Sequence, residues 1–323
     1  MPLDAPVMKT FIGMGEVYVA PSAPALVRRP GTNGGGGSRL WWSPPHVSTG
    51  PMTIFPTSST YSAADGEGYE RIMGRWSRRL VGPFLDFTGT ADGEDVLDVG
   101  CGTGCLAFAL AARCNVRTVR GVDLSPAYVE YAQHRNRDPR LAFDVGNVHA
   151  LEHSDRSFDR VLALLVLHFV PRTEQAIAEM RRVARPGATV GAAVWDARGG
   201  FVANRIFFDT AAALDPAANE RRSRNYTRPL TRPGELAAAW RAAGFTNVAE
   251  ATLAIRMEFA SFDDYWGPYS AKDGPQAEYV ATLNEADRAR LREALQRAYL
   301  DGEADGPRSY AALAWAVKGT VPG

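Results

Sequence analysis

Seven short apolar runs that alternate with helix-like segments predict an α/β fold. Its core is a doubly wound, mostly parallel seven-stranded sheet with helices on both faces. Three observations lead there. The strand-like runs are nearly continuous in apolar residues, as strands covered on both faces are. Helical spacing returns between successive runs, the pattern of stacked βαβ units. A glycine-rich turn, Gly100-Cys101-Gly102-Thr103-Gly104, ends the first run and opens the next helix.

Residues 1–60 stand apart. They are rich in proline, carry the run Gly34-Gly35-Gly36-Gly37-Ser38 and hold no helical or strand period for long, which predicts a disordered extension. Arg28-Arg29 lacks the apolar stretch an export signal needs after it. Met52 offers an alternative start to the chain. The folded domain is expected over 61–323.

Within it, Ile72, Trp76, Leu80 and Val81 share one face of a helix over 69–85. Asp95-Val96-Leu97-Asp98-Val99 reads as a buried strand, followed by a helix over 106–112 and a strand over 116–122. A helix over 126–135 and a strand over 141–145 come next. Residues 158–167 form a strand running into a turn, before a helix over 174–183 and a strand over 189–195. Residues 200–232 are arginine-rich and irregular. A helix over 234–243, a strand over 248–255, a helix over 285–300 and a final alternating strand over 309–318 complete the order. The segments 200–232 and 256–308 read as insertions that form a helical lid.

Composition narrows the function. Of 323 residues, 46% are hydrophobic, enough for a sizeable core, and Lys+Arg equals Asp+Glu at 36 each. Zero net charge argues against a nucleic-acid partner. No apolar run is long enough for a membrane span, and a cytoplasmic protein is expected. Cys101, Cys105 and Cys114 lie too close together and are too few for a disulfide framework, and no second pair completes a metal site.

The glycine turn carries the chemistry. In an open parallel sheet it lies at the carboxyl ends of the strands, where ligands bind. Asp123 ends the second strand, placed to accept from both hydroxyls of a ribose. A dinucleotide fingerprint needs a third glycine where Cys105 stands. Asp98, two positions before the turn, suits a cationic amino group and would repel a pyrophosphate. These features favour S-adenosylmethionine.

With these residues in place the sequence resembles the class I S-adenosylmethionine-dependent methyltransferases, in particular the small-molecule group that includes the ubiquinone and menaquinone ring methylases. The resemblance rests on six ordered blocks: 96–104, Gly121-Val122-Asp123-Leu124-Ser125, 146–151, Ser157-Phe158-Asp159-Arg160-Val161, Leu167-His168-Phe169 and 182–188. It implies a Rossmann-like sheet in which the last strand is antiparallel. It further implies that Asp98 helps hold the methionine amino group and that Gly100, Cys101, Gly102 and Gly104 form the loop beneath the cofactor. Asp123 would bind the ribose, Leu124 would pack on adenine, and Asn147 and the Val148 backbone would meet the adenine edge. The family usually has Asp at the position of Asn147, but an amide oxygen still accepts from an amino group. The Leu164 backbone would face the methionine moiety, and Tyr69 and Arg75 would reach its carboxylate.

The partner implied is a small-molecule methyl acceptor, with carbon, oxygen and nitrogen all open as the acceptor atom. Such a transfer needs a general base only when the acceptor must lose a proton. His168 is the candidate base, with a histidine that packs at the strand end and lines the pocket as the favoured alternative. Trp195 and Asp196 should edge the acceptor pocket. Phe201, Phe207, Phe208, Phe262, Tyr265, Trp266 and Tyr269 are either lid core or pocket wall. A catalytically silent cofactor-binding protein and a nicotinamide-dependent oxidoreductase are the rival readings, and Cys105 stands against the second.

Overall fold

The computed structural model describes residues 65–270 and 274–323. The expected extension over 1–60 and the alternative start at Met52 lie outside the described residues. Seven strands form one sheet: β1 (Asp95–Val99), β2 (Thr118–Asp123), β3 (Leu141–Val145), β4 (Phe158–Leu164), β5 (Ala184–Trp195), β6 (Thr246–Phe259) and β7 (Arg308–Thr320). Their order is β3-β2-β1-β4-β5-β7-β6. The first five are mutually parallel, and β7 runs antiparallel to both β5 and β6. The expected doubly wound Rossmann-like sheet is the one observed.

Alternate residues of each strand enter different cores, because strand side chains point to opposite faces in turn. Val96, Val119, Leu162 and Ala193 pack on one face, against α2 (Arg75–Thr88) and α3 (Cys105–Arg113) and near α4 (Pro126–Arg135). Leu97, Val161, Ala163 and Ala192 pack on the other, against α5 (Thr173–Val183) and α8 (Glu235–Ala242). The loop after β1 is tied to the end of β2: Gly100 N and Cys101 N both donate to Val122 O, at 2.7 and 3.1 Å.

Three expectations need correction. Residues 200–232 are largely helical, with α6 (Val202–Leu214) and α7 (Pro216–Tyr226). Phe207, Phe208 and Ala211 are buried at helical spacing, while the arginines pair with a carboxylate at the surface, Arg205 and Arg222 both meeting Asp209. The expected first helix is three pieces: α1 (Gly66–Tyr69), a π-helical turn (Glu70–Gly74) and α2. Finally β6 continues to Phe259 in unbroken register with β7 from Ala249 onward, so the second insertion begins after it, not at 256. That insertion holds α9 (Phe262–Trp266), α10 (Pro275–Ala281) and α11 (Glu285–Leu300).

The aromatic residues of the two insertions form mostly core. Phe207, Phe208, Phe262 and Tyr265 are at most 1% exposed. Their rings contact one another and their neighbours, with Phe207 4.8 Å from Tyr269 and Tyr265 5.4 Å from Tyr299. This layer packs on Ile255, Met257, Ala312 and Ala314 of β6 and β7, on the same face as α2 and α3.

Candidate functional site

A cleft of about 710 Å³ opens along the carboxyl ends of β1, β2, β4 and β5 and reaches α6, the end of α7 and the start of α10. On its β1–β2–β3 side the glycine loop is held in left-handed backbone that only glycine adopts readily, with φ of +70° at Gly100 and +53° at Gly102. A Cβ on Gly100 would sit 2.4 Å from Val166, so glycine is also required there for space. A Cβ on Gly102 would meet nothing nearer than Tyr128 at 3.9 Å. Gly102 therefore leaves its backbone open to the cleft.

Asp123 stands at the end of β2, and its carboxylate organises the loop opposite. Oδ2 accepts from Gly102 N and Oδ1 from Ser125 N, each at 2.9 Å. Burial pushes its pKa up, and these backbone N–H groups oppose the shift. Leu124 follows with 72% of its surface exposed, the largest apolar exposure with Val145 among the described residues. Asn147, Val148 and His149 form the neighbouring wall after β3. Asn147 Oδ1 accepts from His149 N at 2.9 Å, so this amide oxygen already serves its own turn.

Tyr69 closes the cleft from the end of α1, its hydroxyl 2.9 Å from Ser77 Oγ and its ring 5.3 Å from Tyr128. Glu70, which opens the π-helical turn, ties it to the glycine loop by accepting from Thr103 Oγ1 at 2.5 Å. In the middle of the cleft are Leu164, Leu165 and His168, at and after the end of β4. Leu165 takes φ of +63°, a conformation unusual for a side chain other than glycine, and its N–H donates to Ala193 O at 2.8 Å. His168 is 4% exposed with Nδ1 unpartnered. Burial, with Arg228 adding to it, drives its pKa well down, so the ring is neutral.

Of the residues expected at the site, Tyr69, Gly100, Gly102, Asp123, Leu124, Asn147, Val148, Leu164 and His168 line one cleft. Four do not. Asp98 lies on the α3 side of β1, 1% exposed, against the Ala107 backbone N–H in the first turn of α3. Its pKa is pushed up to about 8 by burial, partly offset by that N–H and reinforced by Asp123. Cys101 is buried behind the loop, and Gly104 abuts Phe108 and Phe143. Arg75 faces away from the cleft: it pairs with Asp264 at 2.9 Å and lies over the Trp76 ring. A carboxylate partner and a stacking surface within the protein hold it there.

Trp195 and Phe201 line the side of the cleft near β5 with rings 5.0 Å apart, whereas Asp196 turns its carboxylate to the Arg198 and Gly199 N–H groups. Reading the sequence missed Asn204, Asn225, Arg228 and Gln276, which complete this side. Gln276 Nε2 donates to Asn204 Oδ1 at 2.6 Å across α10 and α6. No local motif marks these four. They meet only because the two insertions fold over β5. Among the described residues no cluster of metal-binding side chains occurs, and no helix is long and apolar enough to cross a membrane.

Comparison with known proteins bears on this geometry. Residues 97–191 match the family described as "Methyltransferase domain". Methyltransferase GfsG of Streptomyces halstedii is 38% identical over 105 residues, which cover 31% of this chain and 37% of that protein. Fatty-acid O-methyltransferase of Mycolicibacterium smegmatis is 35% identical over 96 residues, 30% of this chain and 35% of that one. The match thus spans little more than a third of either relative's length. Among solved structures, Haemonchus contortus phosphoethanolamine N-methyltransferase 2 in complex with S-adenosyl-L-methionine shares the fold, with a TM-score of 0.52 and 17% identity. It covers 80% of this chain, which in turn covers 57% of it.

Proposed function

We propose, on the premise that residues 97–191 carry a methyltransferase domain of the class I S-adenosylmethionine-dependent kind, that the protein transfers a methyl group from this cofactor to a small organic acceptor by in-line displacement. The observation that carries the reading is the juxtaposition of Asp123, exposed Leu124 and the open backbone of Gly102 along one side of the cleft.

The residues present fit the cofactor. A carboxylate offers about four acceptor positions, and Asp123 uses some of them on the Gly102, Ser125 and Leu124 N–H groups, leaving capacity for a ribose hydroxyl. Leu124 supplies an apolar surface for a purine. Tyr69, Val148 and Leu164 bound the same side. Asn147 contributes through its backbone turn more than through its side-chain oxygen, which His149 N–H engages. Asp98, Cys101 and Gly104 act from behind, by shaping and supporting the loop. Arg75 has no part in holding the cofactor.

When bound, S-adenosylmethionine supplies a methyl group already activated on a sulfonium. What remains for the chain is to align the acceptor and exclude water. Trp195 and Phe201 provide a flat apolar wall for that, and Leu164, Leu165, Val166 and His168 form the floor between the two halves. His168 is poorly suited to removing a proton, because burial makes its ring a weak base. We read it as a wall residue. The acceptor is not inherited by name, since one relative is called a fatty-acid O-methyltransferase and a structural neighbour a phosphoethanolamine N-methyltransferase.

Calorimetric titration with S-adenosylmethionine, S-adenosylhomocysteine and NADH tests the reading, alongside Asp123→Ala. Micromolar binding of the first two, weakened by about 1–3 kcal/mol in the variant, is the expected result. Binding of NADH alone would overturn it. Cofactor binding without turnover of any acceptor would favour a silent cofactor-binding protein of the same fold.

A further inference from the structure

Two buried polar side chains of the cleft wall keep hydrogen bonds that the fold leaves unmade, and their assignment to the methyl acceptor rests on the methyltransferase reading. Asn225, in the last turn of α7, is 8% exposed, and its Nδ2 has no hydrogen-bond partner. His168, after β4, is 4% exposed with Nδ1 likewise unpartnered. Both line the cleft. Arg228, just past α7, holds its guanidinium carbon 4.2 Å from the centre of the Phe169 ring, and that ring is 4.1 Å from His168. The segment that carries Asn225 is thereby packed on the residues after β4. It belongs to the insertion after β5, not to the side where Asp123 and Leu124 lie.

Buried polar groups are hydrogen-bonded in nearly every folded protein, because an unmade bond costs the full desolvation of the group. Two such groups on one cleft mark where a ligand completes the bonds. A neighbouring pair shows the contrast. Gln276 Nε2 donates to Asn204 Oδ1 at 2.6 Å, so those buried amides serve each other, whereas Asn225 Nδ2 finds nothing within the protein. The chemistry of the open groups limits the ligand. Asn225 offers an N–H, and burial keeps the His168 ring neutral, with one nitrogen that donates and one that accepts. Neither side chain carries a charge to offset that of a buried ion. A hydroxyl matches both, since one oxygen donates and accepts. The surface around them is apolar, formed by Val170, Trp195 and Phe201.

We propose that the methyl acceptor is an uncharged, largely apolar alcohol or phenol, recognised through hydroxyl oxygen by Asn225 and His168. Asn225 donates to that oxygen from Nδ2. His168 Nδ1 pairs with a hydroxyl of the same molecule. The apolar body lies on Trp195 and Phe201. Asn225 and His168 are thus specificity-determining residues, one supplied by the insertion after β5 and the other by the turn after β4.

The test is binding in the presence of saturating S-adenosylhomocysteine, measured by calorimetry with two sets of matched probes. One sets 4-phenylbutan-1-ol against 4-phenylbutyrate and 4-phenylbutylamine, and the other sets 2-naphthol against naphthalene. The alcohol should bind about fivefold more tightly than either ion, and the naphthol about fivefold more tightly than the hydrocarbon. Asn225→Leu should erase most of the naphthol's advantage while naphthalene affinity stays within about twofold. His168→Phe should reduce that advantage, and His168→Gln should keep more of it. The affinity for S-adenosylhomocysteine and the melting temperature of each variant report whether it is folded, and the comparison on the unaltered protein stands in either case. Tighter binding of the acid or the amine, binding of no probe, equal binding of naphthol and naphthalene, or an advantage that survives in Asn225→Leu would overturn the assignment. Failure of S-adenosylhomocysteine to bind the unaltered protein would instead sink the methyltransferase reading itself.

Discussion

Asp98 and Asp123 show how two carboxylates one strand apart acquire different work. Asp123 is at the strand end and meets the cleft, with backbone N–H groups organising both of its oxygens. Asp98 is one pleat inside β1 and meets α3, with Oδ2 unpartnered. Its raised pKa has a sign that can be checked. Because the folded state holds the proton more tightly than the unfolded chain, the contribution to stability is full below the unfolded value near 4. It declines as pH rises toward the folded value of about 8. Asp98→Asn keeps an acceptor for the Ala107 N–H and removes the ionisation. Its unfolding free energy should therefore fall less steeply than that of the unaltered protein between pH 4 and 8. The gain at pH 8 is bounded at about 6 kcal/mol for a shift of this size, and urea titration across that range would measure it. Gly100→Ala should destabilise by several kcal/mol, roughly the sum of a left-handed backbone penalty and an overpacked contact with Val166. A melting temperature within a degree of the original would contradict that. The glycines and Asp123 were legible because a turn motif encodes its own local geometry. The placement of Asp98 behind the loop was not, because it depends on which face α3 covers.

At the scale of elements, the sheet was readable because buried strands and their crossover helices each carry a periodicity in a few consecutive residues. The segment 200–232 was not. Its arginines mask the apolar stripe of Phe207, Phe208 and Ala211, and in the folded helices Arg205 and Arg222 are accommodated by Asp209 and by stacking on Tyr226. The junction between α2, β1 and β4 is held by a pair that sequence spacing did not reveal. Arg160 makes two bonds to Glu94, at 2.6 and 2.7 Å, and a third to Thr88 O at 2.9 Å, with its side chain 6% exposed. Removing one partner leaves the other charge buried. Glu94→Gln should cost about 3 kcal/mol in urea unfolding, while a surface pair such as Arg297–Glu293 should cost less than about 1 kcal/mol when broken.

For the molecule as a whole, cofactor binding and folding are linked. A ligand that binds only the folded state at a hundred times its dissociation constant adds about 2.7 kcal/mol. For a domain of this size that corresponds to roughly 5–10 °C in melting temperature. Scanning calorimetry with and without S-adenosylhomocysteine should show that rise, and an unchanged transition would mean that the cleft does not bind it. The pH dependence of turnover is a further whole-site property. His168 is neutral throughout the range in which an exposed histidine would titrate, since burial disfavours its charged form. The rate profile should accordingly show no step near pH 6.5, the ordinary histidine value, that disappears in His168→Gln. A step that does disappear would restore His168 as a base.

The sequence by itself determined the order of the strands and of the helices that alternate with the first five, the glycine loop and the placement of Asp123 at a strand end. Each is written in residues close together along the chain, where backbone preference and periodicity act locally. Only the tertiary structure decided that Arg75 turns to Asp264, that most of the lid aromatics are core, and that Asn225 and His168 line the same cleft. Those outcomes depend on which surfaces meet when α6, α7 and α10 close over β5. Contacts between residues far apart in sequence are selected by competition among all the partners the fold brings within reach, and no short stretch of chain records the winner.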